Sequence, residues 1–446
     1  MPDLFLRSSG AYSSAQHPFK RGRFLVLCTF CAAIGVGFPA TAESIAASGV
    51  TETADVIVVG GGIEGLSTAW ALAERGAGHV LVLERGYLCS GGTVKSSGIV
   101  RCHYGVPSLA KMAWAGIEVF ERAQELFGSD LGFVQTGYVV GVAASDDAAL
   151  RANVAMHRAL GIDVRLLGPS QVQELWPCAE LSNFAIFAYE PRGGYGDAYL
   201  AGRAFAEAAT RAGATIRQNA PVVRLALDAS SQKVIGVVDE TGDVIAAGAV
   251  VLAAGPWSVP LAAEIGIDLP IKAQREQILL IDAGEPIVDA PVFSDLVHLQ
   301  YIRSERSGQL LVGNSDHSAP EYADPDNYCD RADDAYVETA VTKFDRLLPR
   351  LPNPALASSY AGCYDVTPDF NPIIGPAPID GLYLCAGFSG HGYKISPAVG
   401  KLVADLVCDA RSNDPDIPSD DFRLSRFAER KPLSSRNPYR RAGQMR

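Results

Sequence analysis

Asp55-Val56-Ile57-Val58-Val59-Gly60-Gly61-Gly62-Ile63-Glu64-Gly65-Leu66-Ser67-Thr68-Ala69 is the stretch around which the chain is organised, and Glu84 closes the unit it begins. Val56 to Val59 is short, β-branched and apolar, so it reads as a buried parallel strand running into Gly60-x-Gly62-x-x-Gly65 at the head of an amphipathic helix. That is a dinucleotide-binding turn. Gly60 permits the tight turn, Gly62 lets a pyrophosphate approach the backbone, and Gly65 lets helix and strand pack closely; the free N–H groups around Ile63 then face phosphate. A second strand, Val80 to Leu83, ends in Glu84-Arg85, at about the 20-residue spacing of the acid that takes the ribose hydroxyls. Strand, turn, helix, strand and acid in this order are far more specific than a glycine pattern alone. An acid at the ribose position disfavours a 2′-phosphate, which leaves FAD and NAD.

Outside this unit, 446 residues are too many for one ordinary core and predict two domains, and a content of 48% hydrophobic and 20% charged residues is that of a soluble globular protein. The net charge of −12 argues against a nucleic-acid partner. The locally basic end, Arg430 to Arg446, reads as a solvated tail, with docking to a partner as the alternative. Nine scattered cysteines without paired Cys-x-x-Cys motifs indicate neither a disulfide framework nor a metal site.

Residues 1–50 read as a leader. Lys20-Arg21-Gly22-Arg23 precedes an apolar run from Phe24 to Phe38, which contains Cys28-x-x-Cys31, and Ala40-Thr41-Ala42 resembles a signal-peptidase site. Two readings stand: an exported, periplasmic protein cleaved near Ala42, which is the favoured one, and a cytoplasmic enzyme whose start codon is placed too far upstream. Beyond the glycine turn, Ser90 to Gly98 is a small-residue loop suited to wrapping a ligand, followed by Ile99-Val100-Arg101-Cys102-His103-Tyr104 and a helix over 108–127. A helix over 197–212 and strands ending in Ala253-Ala254-Gly255 resume the nucleotide pattern. Strands near 277–281, 298–303 and 309–312 with a helix over 332–348 make a second, mostly antiparallel domain. Near the end, a strand at Leu382 to Ala386 enters Gly387-Phe388-Ser389-Gly390-His391-Gly392-Tyr393-Lys394, and Ser396-Pro397 predicts the start of the last helix.

The glycine turn with Glu84, Ser97-Gly98-Ile99-Val100-Arg101, Ala253-Ala254-Gly255, Thr367-Pro368-Asp369 and Gly387 to Gly392 together resemble the FAD-dependent D-amino acid oxidase superfamily, nearest its sarcosine oxidase and dimethylglycine dehydrogenase branch. The resemblance spans Asp55 to about Asp409. It implies an α/β fold: a doubly wound FAD-binding domain (53–130, 191–268 and 356–412) interrupted by a substrate domain (131–190 and 269–355), with 413–446 as a tail. It further implies FAD rather than NAD, with the adenine against Val223 and the flavin near Ser97, Gly98, Ile99, Ala254, Gly255, Gly387, Gly390, His391, Gly392 and Tyr393. The positive end of the last helix would face the flavin.

Arg101 and Lys394 stand where relatives grip the substrate carboxylate, and paired cationic donors are what a carboxylate needs. The plain alternative is pairing with local acids. His103, Tyr104, Tyr364 and His391 are candidates to line the pocket, each with a structural role as the alternative. The implied reaction is hydride transfer from the carbon beside nitrogen of a secondary or N-methyl amino acid to the flavin, leaving an imine that hydrolyses. A D-amino acid or proline dehydrogenase, and a flavin-binding subunit active only in a hetero-oligomer, are the alternatives. Cys363 lies near the position of a cysteine thioether-linked to flavin in monomeric sarcosine oxidases, one residue out of spacing; non-covalent FAD is the favoured reading. Those oxidases also carry an oxygen-activating lysine where this chain has Leu311-Val312-Gly313, so the acceptor is either oxygen or an electron-transfer partner.

Overall fold

A computed structural model of the chain describes residues 49–440 and 442, so the leader and Cys28-x-x-Cys31 lie outside the described residues. The β-branched run 56–59 sits in the middle of an eight-stranded sheet, as its burial on both faces requires. There the strand Val50–Val59 runs parallel to Val80–Leu83 on one side and Val244–Leu252 on the other. Thr215–Arg217 and Leu382–Ala386 extend the parallel set, and the antiparallel strands Val222–Leu227, Val234–Asp239 and Ile373–Pro376 complete the sheet. The helices Ile63–Glu74, Pro107–Glu121, Ala198–Arg211 and Gly392–Asp409 bury their apolar faces in one core against it. Asp197 caps Ala198–Arg211 by accepting from Tyr199 N and Leu200 N, at 2.9 and 3.0 Å.

A second eight-stranded sheet has the order Ala355–Val366, Lys272–Asp282, Leu310–Asn314, Gln300–Ser304, Val292–Asp295, Tyr138–Val142, Ile186–Glu190, Arg165–Leu167. Neighbours are antiparallel except Val292–Asp295 with Tyr138–Val142, which are parallel. The sequence reading misses Val292–Asp295, a strand of four residues. It also places residues 356–366 in the nucleotide domain, whereas they pair along Lys272–Asp282 in the second sheet. The third nucleotide segment therefore resumes after Val366. That strand's end still delivers Cys363, Tyr364 and Asp365 to the cavity described below, which is why the motif points to the flavin and the strand does not.

Two further expectations change. The last helix begins at Gly392, not at Ser396, and Pro397 lies inside it. Proline removes one N–H from the helical ladder, and the Ser396 hydroxyl donates instead to Tyr393 O at 2.9 Å. Among the described residues the C-terminal segment is not a solvated tail: Ser435, Tyr439 and Ala442 are buried. Arg426 is 1% exposed and pairs with Asp369 through Nε–Oδ2 and Nη2–Oδ1 at 2.8 and 3.0 Å, and the Thr367-Pro368-Asp369 motif thus anchors the C-terminal segment. Removing one partner strands the other as a buried charge, so Arg426→Ala should lower unfolding stability by about 3–5 kcal/mol in urea titration. An unchanged midpoint would show that the pair is not worth its burial.

Candidate active site

Where the parallel strands Val50–Val59, Val80–Leu83 and Val244–Leu252 end, a cavity of ≈ 520 Å³ opens. This is the edge at which an α/β sheet binds its ligand. Gly60 has φ +112° and lies against Ala253 O, so it needs the left-handed region and the missing side chain. Gly65 approaches Gly60 O, where a Cβ would collide. Gly62 differs: its backbone is extended, and a Cβ there would meet only Thr93 Oγ1, at 3.4 Å, at the cavity wall. Glu84 accepts from Gly61 N at 2.7 Å and Gly86 N at 2.8 Å, fixing its carboxylate at the rim. Ile63 N donates to Thr93 Oγ1 at 3.0 Å, the hydroxyl standing at the anion position of the turn.

The far end of the cavity is walled by Cys363, Tyr364, Asp365, Gly390, Gly392 and Tyr393. A smaller pocket of ≈ 50 Å³ begins there, and Tyr364 and Gly390 line both spaces. Arg101, Tyr138, Tyr301, His317 and Lys394 also line it. Arg101 is 6% and Lys394 5% exposed, and among the described residues neither has an acid at ion-pair distance. Arg101 Nη1 donates to His103 O, and its guanidinium lies 4.3 Å from the Tyr104 ring centre. Among the described residues Lys394 Nζ reaches only Gly390 O and His391 O, both at 3.4 Å.

Burial, and then the Arg101 charge, hold the Lys394 ammonium well below the usual lysine range. Arg101 itself stays a cation: burial pulls its pKa down, but Tyr104, Tyr138 and Glu190 outweigh it. Burial also pushes Glu64, whose two oxygens have no hydrogen-bond partner, well above the carboxylate range.

The family model described as FAD dependent oxidoreductase (DAO) matches residues 55–406. The chain belongs to this family. The sarcosine oxidase beta subunit of Rhizobium meliloti (strain 1021) is 31% identical over 381 residues, 84% of this chain and 88% of that one. The beta subunit from Arthrobacter sp is 29% identical over 380 residues, with 84% and 91% covered. L-proline dehydrogenase from P. horikoshii superposes with a TM-score of 0.77 at 26% identity, covering 86% of this chain and 99% of that one.

The protein is thus an FAD-dependent amino acid oxidoreductase, and its cavity suits the cofactor. The open cradle at Gly62, the carboxylate of Glu84 and the orphaned polar atoms of Glu64 and the Tyr393 hydroxyl are what a dinucleotide would satisfy. Gly60, Gly62, Ile63, Glu84, Arg85, Val223, Ala254, Gly255, Cys363, Gly390, Gly392 and Tyr393 all line this cavity. Gly65 acts behind it. Ser97 and Ile99 instead line the small pocket, with Lys394. Gly98 and Gly387 shape the chain beside the two spaces: Gly98 approaches Gly196 O, and Gly387 N donates to Asp365 Oδ2 at 2.6 Å.

Of the candidate pocket residues, Arg101, Lys394 and Tyr364 line the small pocket, and His103, Tyr104 and His391 do not. All three are buried outside its lining, His103 and Tyr104 because the chain after Arg101 turns into the core, and His391 just before the helix Gly392–Asp409. His391 packs edge-on against Tyr104 at 5.1 Å, and burial keeps both His103 and His391 well below the usual histidine range. His103, His157 and Glu190 bring one ligating atom each within 4.8 Å of one another, a geometry open to a metal ion. Arg101 already supplies positive charge beside them, which favours a neutral polar network over a dication.

The reading from sequence misses Tyr138, Tyr301, His317 and Glu64. His317 Nδ1 lies 3.3 Å from both Glu276 Oε1 and Gln274 Nε2. The Asn314-Ser315-Asp316-His317 turn that ends a strand was the one available signal for it.

Proposed function

We propose that the protein oxidises the C–N bond of a small secondary or N-methyl amino acid of the sarcosine or proline type. One observation carries this: two buried basic side chains, neither with an acid at ion-pair distance among the described residues, share a pocket that joins the flavin cavity at Tyr364 and Gly390. FAD, when bound, supplies the hydride acceptor. Arg101 and Lys394 hold the carboxylate, Tyr138 and Tyr301 exclude water around it, and His317, in the same lining, is the candidate base for the amine's proton. The names of the relatives support the substrate class. D-Amino acids remain the competing substrates, since the same clamp would hold them.

A second reading is favoured by the two relatives that are beta subunits and match almost end to end: the chain acts within a hetero-oligomer. Gel filtration with an activity assay separates the readings, because a homogeneous active monomer or homodimer rules out the subunit role. For the acceptor we favour an electron-transfer partner over oxygen. Gly313 lies under Tyr301, whose ring takes the space a side chain there would need, and Lys394 is the one lysine in either lining among the described residues.

Cys363 lines the cavity, but burial pushes its thiol up to about 11, which disfavours the nucleophilic thiolate. Acid precipitation should accordingly leave a yellow supernatant and a white pellet; a yellow pellet would establish a covalent link. Anaerobic addition of sarcosine, proline, dimethylglycine and D-alanine in turn should bleach the visible band with one of the first three. Bleaching by D-alanine alone would overturn the substrate class, and bleaching by none would favour the subunit.

A further inference from the structure

The C-terminal segment does more than cover the fold. From its anchor at Asp369, where Leu433 N donates to Oδ2 at 2.9 Å, it crosses to the substrate domain. On the way Arg436 N donates to Gly105 O at 3.3 Å. Asn437 exchanges hydrogen bonds with the fully buried Asn153, at 3.0 Å through its carbonyl and 3.2 Å through its amide. Arg440 N then donates to Asp146 Oδ1 at 3.2 Å. Two side chains of this segment bear on the site, Tyr439 from behind it and Ala442 in its wall. Tyr439, 4% exposed, bonds its hydroxyl to His103 Nε2 at 2.6 Å and stacks on that ring, and the His103 carbonyl receives Arg101 Nη1. Ala442, 2% exposed, packs among Ile99, Tyr138 and Leu296 and forms part of the wall of the pocket that holds Arg101 and Lys394.

We infer that residues 432–440 with Ala442 are a built part of the substrate site: Tyr439 positions Arg101 through His103, and Ala442 limits the size of the group beside the carboxylate. The inference rests on the reading that this pocket takes the carboxylate of a small amino acid. It adds that the chain end selects among such acids. The pocket is ≈ 50 Å³, so each added methylene at its wall must displace protein, and the smallest residue with a side chain stands at that wall. Tyr439 and Ala442 act differently. Loss of the Tyr439 hydroxyl loosens a group that every carboxylate needs, whereas a change at Ala442 is felt only by ligands long enough to reach it.

The test uses the FAD-loaded full chain and the straight-chain acids formate, acetate, propionate and butyrate, titrated by the change they cause in the flavin's visible spectrum. Ala442→Leu should leave formate nearly unchanged and weaken butyrate by at least about tenfold, the value of a methylene in a tight pocket. Ala442→Gly, which adds no bulk, should strengthen butyrate relative to acetate. Tyr439→Phe, which keeps the ring, should weaken all four by a similar factor of about 3- to 10-fold, the value of one hydrogen bond. With the substrate that bleaches the flavin, it should raise KM more than it lowers kcat.

Equal shifts across the series for both Ala442 variants, or none, would overturn the role of the chain end while leaving the clamp intact. Should Ala442→Leu fail to fold, the glycine variant decides alone. An Arg101→Ala control that binds acetate as the wild type does would instead refute the carboxylate reading, and the inference with it.

Discussion

Gly62→Val should yield a folded, colourless protein whose affinity for FAD is lower by about 10³-fold or more. Gly62 is extended, with φ −76° and ψ 175°, which valine adopts freely, and an added Cβ meets only Thr93 Oγ1. The branched side chain must therefore project into the cradle where the pyrophosphate meets the turn. Overpacking costs about 1–3 kcal/mol, and each displaced charge-assisted hydrogen bond about 1.5–3 kcal/mol. Together, about 4 kcal/mol corresponds to about 10³ in Kd. The ratio of visible to ultraviolet absorbance after purification, fluorescence titration with FAD and circular dichroism read out the result. A yellow, FAD-replete variant would remove the turn from the cofactor site. Gly60 and Gly65 are poor places for this test, because a side chain at either collides with backbone and would confound binding with folding.

The same contrast shows what could be read without coordinates. Val56 to Gly65 and Glu84 declare themselves because their roles are local: strand period, turn geometry and helix start all lie within one short stretch. The pairing of Arg101 with Lys394 needs a resemblance, since 293 positions separate them (394 − 101) and nothing local links them. Tyr301 was not legible at all, and for His317 only the polar stretch after its strand offered a signal. They lie on the second sheet and a turn leaving it, and reach the pocket through cross-strand register, as when Tyr301 faces Gly313. For His103 the sequence left a pocket role and a structural one open, and the structural one is what the fold shows. A histidine two residues from a candidate clamp arginine looks functional, yet the chain there carries it away from the pocket to Tyr439. The basic end misled differently: its described arginines, Arg430, Arg436 and Arg440, are exposed as their charge suggests, but Ser435, Tyr439 and Ala442 between and beyond them are buried.

Arg101→Ala should lower kcat/KM for the amino acid roughly 30- to 4,000-fold, the range for truncating one partner of a buried, hydrogen-bonded charge pair. The flavin should remain bound, because Arg101 lies in the small pocket and not in the cofactor cavity. Lys394 should behave differently, and its signature is pH. Burial and Arg101 depress its pKa in the empty pocket, so over the range between that depressed value and the ordinary lysine value it is uncharged. An arriving carboxylate raises its pKa, and binding then takes up a proton. Affinity for an amine-free acid such as acetate should therefore weaken as pH rises through that range, approaching about tenfold per pH unit, and level off below the depressed pKa. Lys394→Met should flatten the profile, whereas Arg101→Ala should weaken binding at every pH and raise the Lys394 pKa toward normal, moving the sloping region to higher pH. A wild-type profile flat from neutral to alkaline pH would mean that Lys394 carries the same charge in both states, and the division of labour between a permanent cation and a ligand-recruited one would be wrong. If it holds, the pocket limits the cost of burying two like charges before substrate arrives, because only one of them is charged until a carboxylate is there to hold the second.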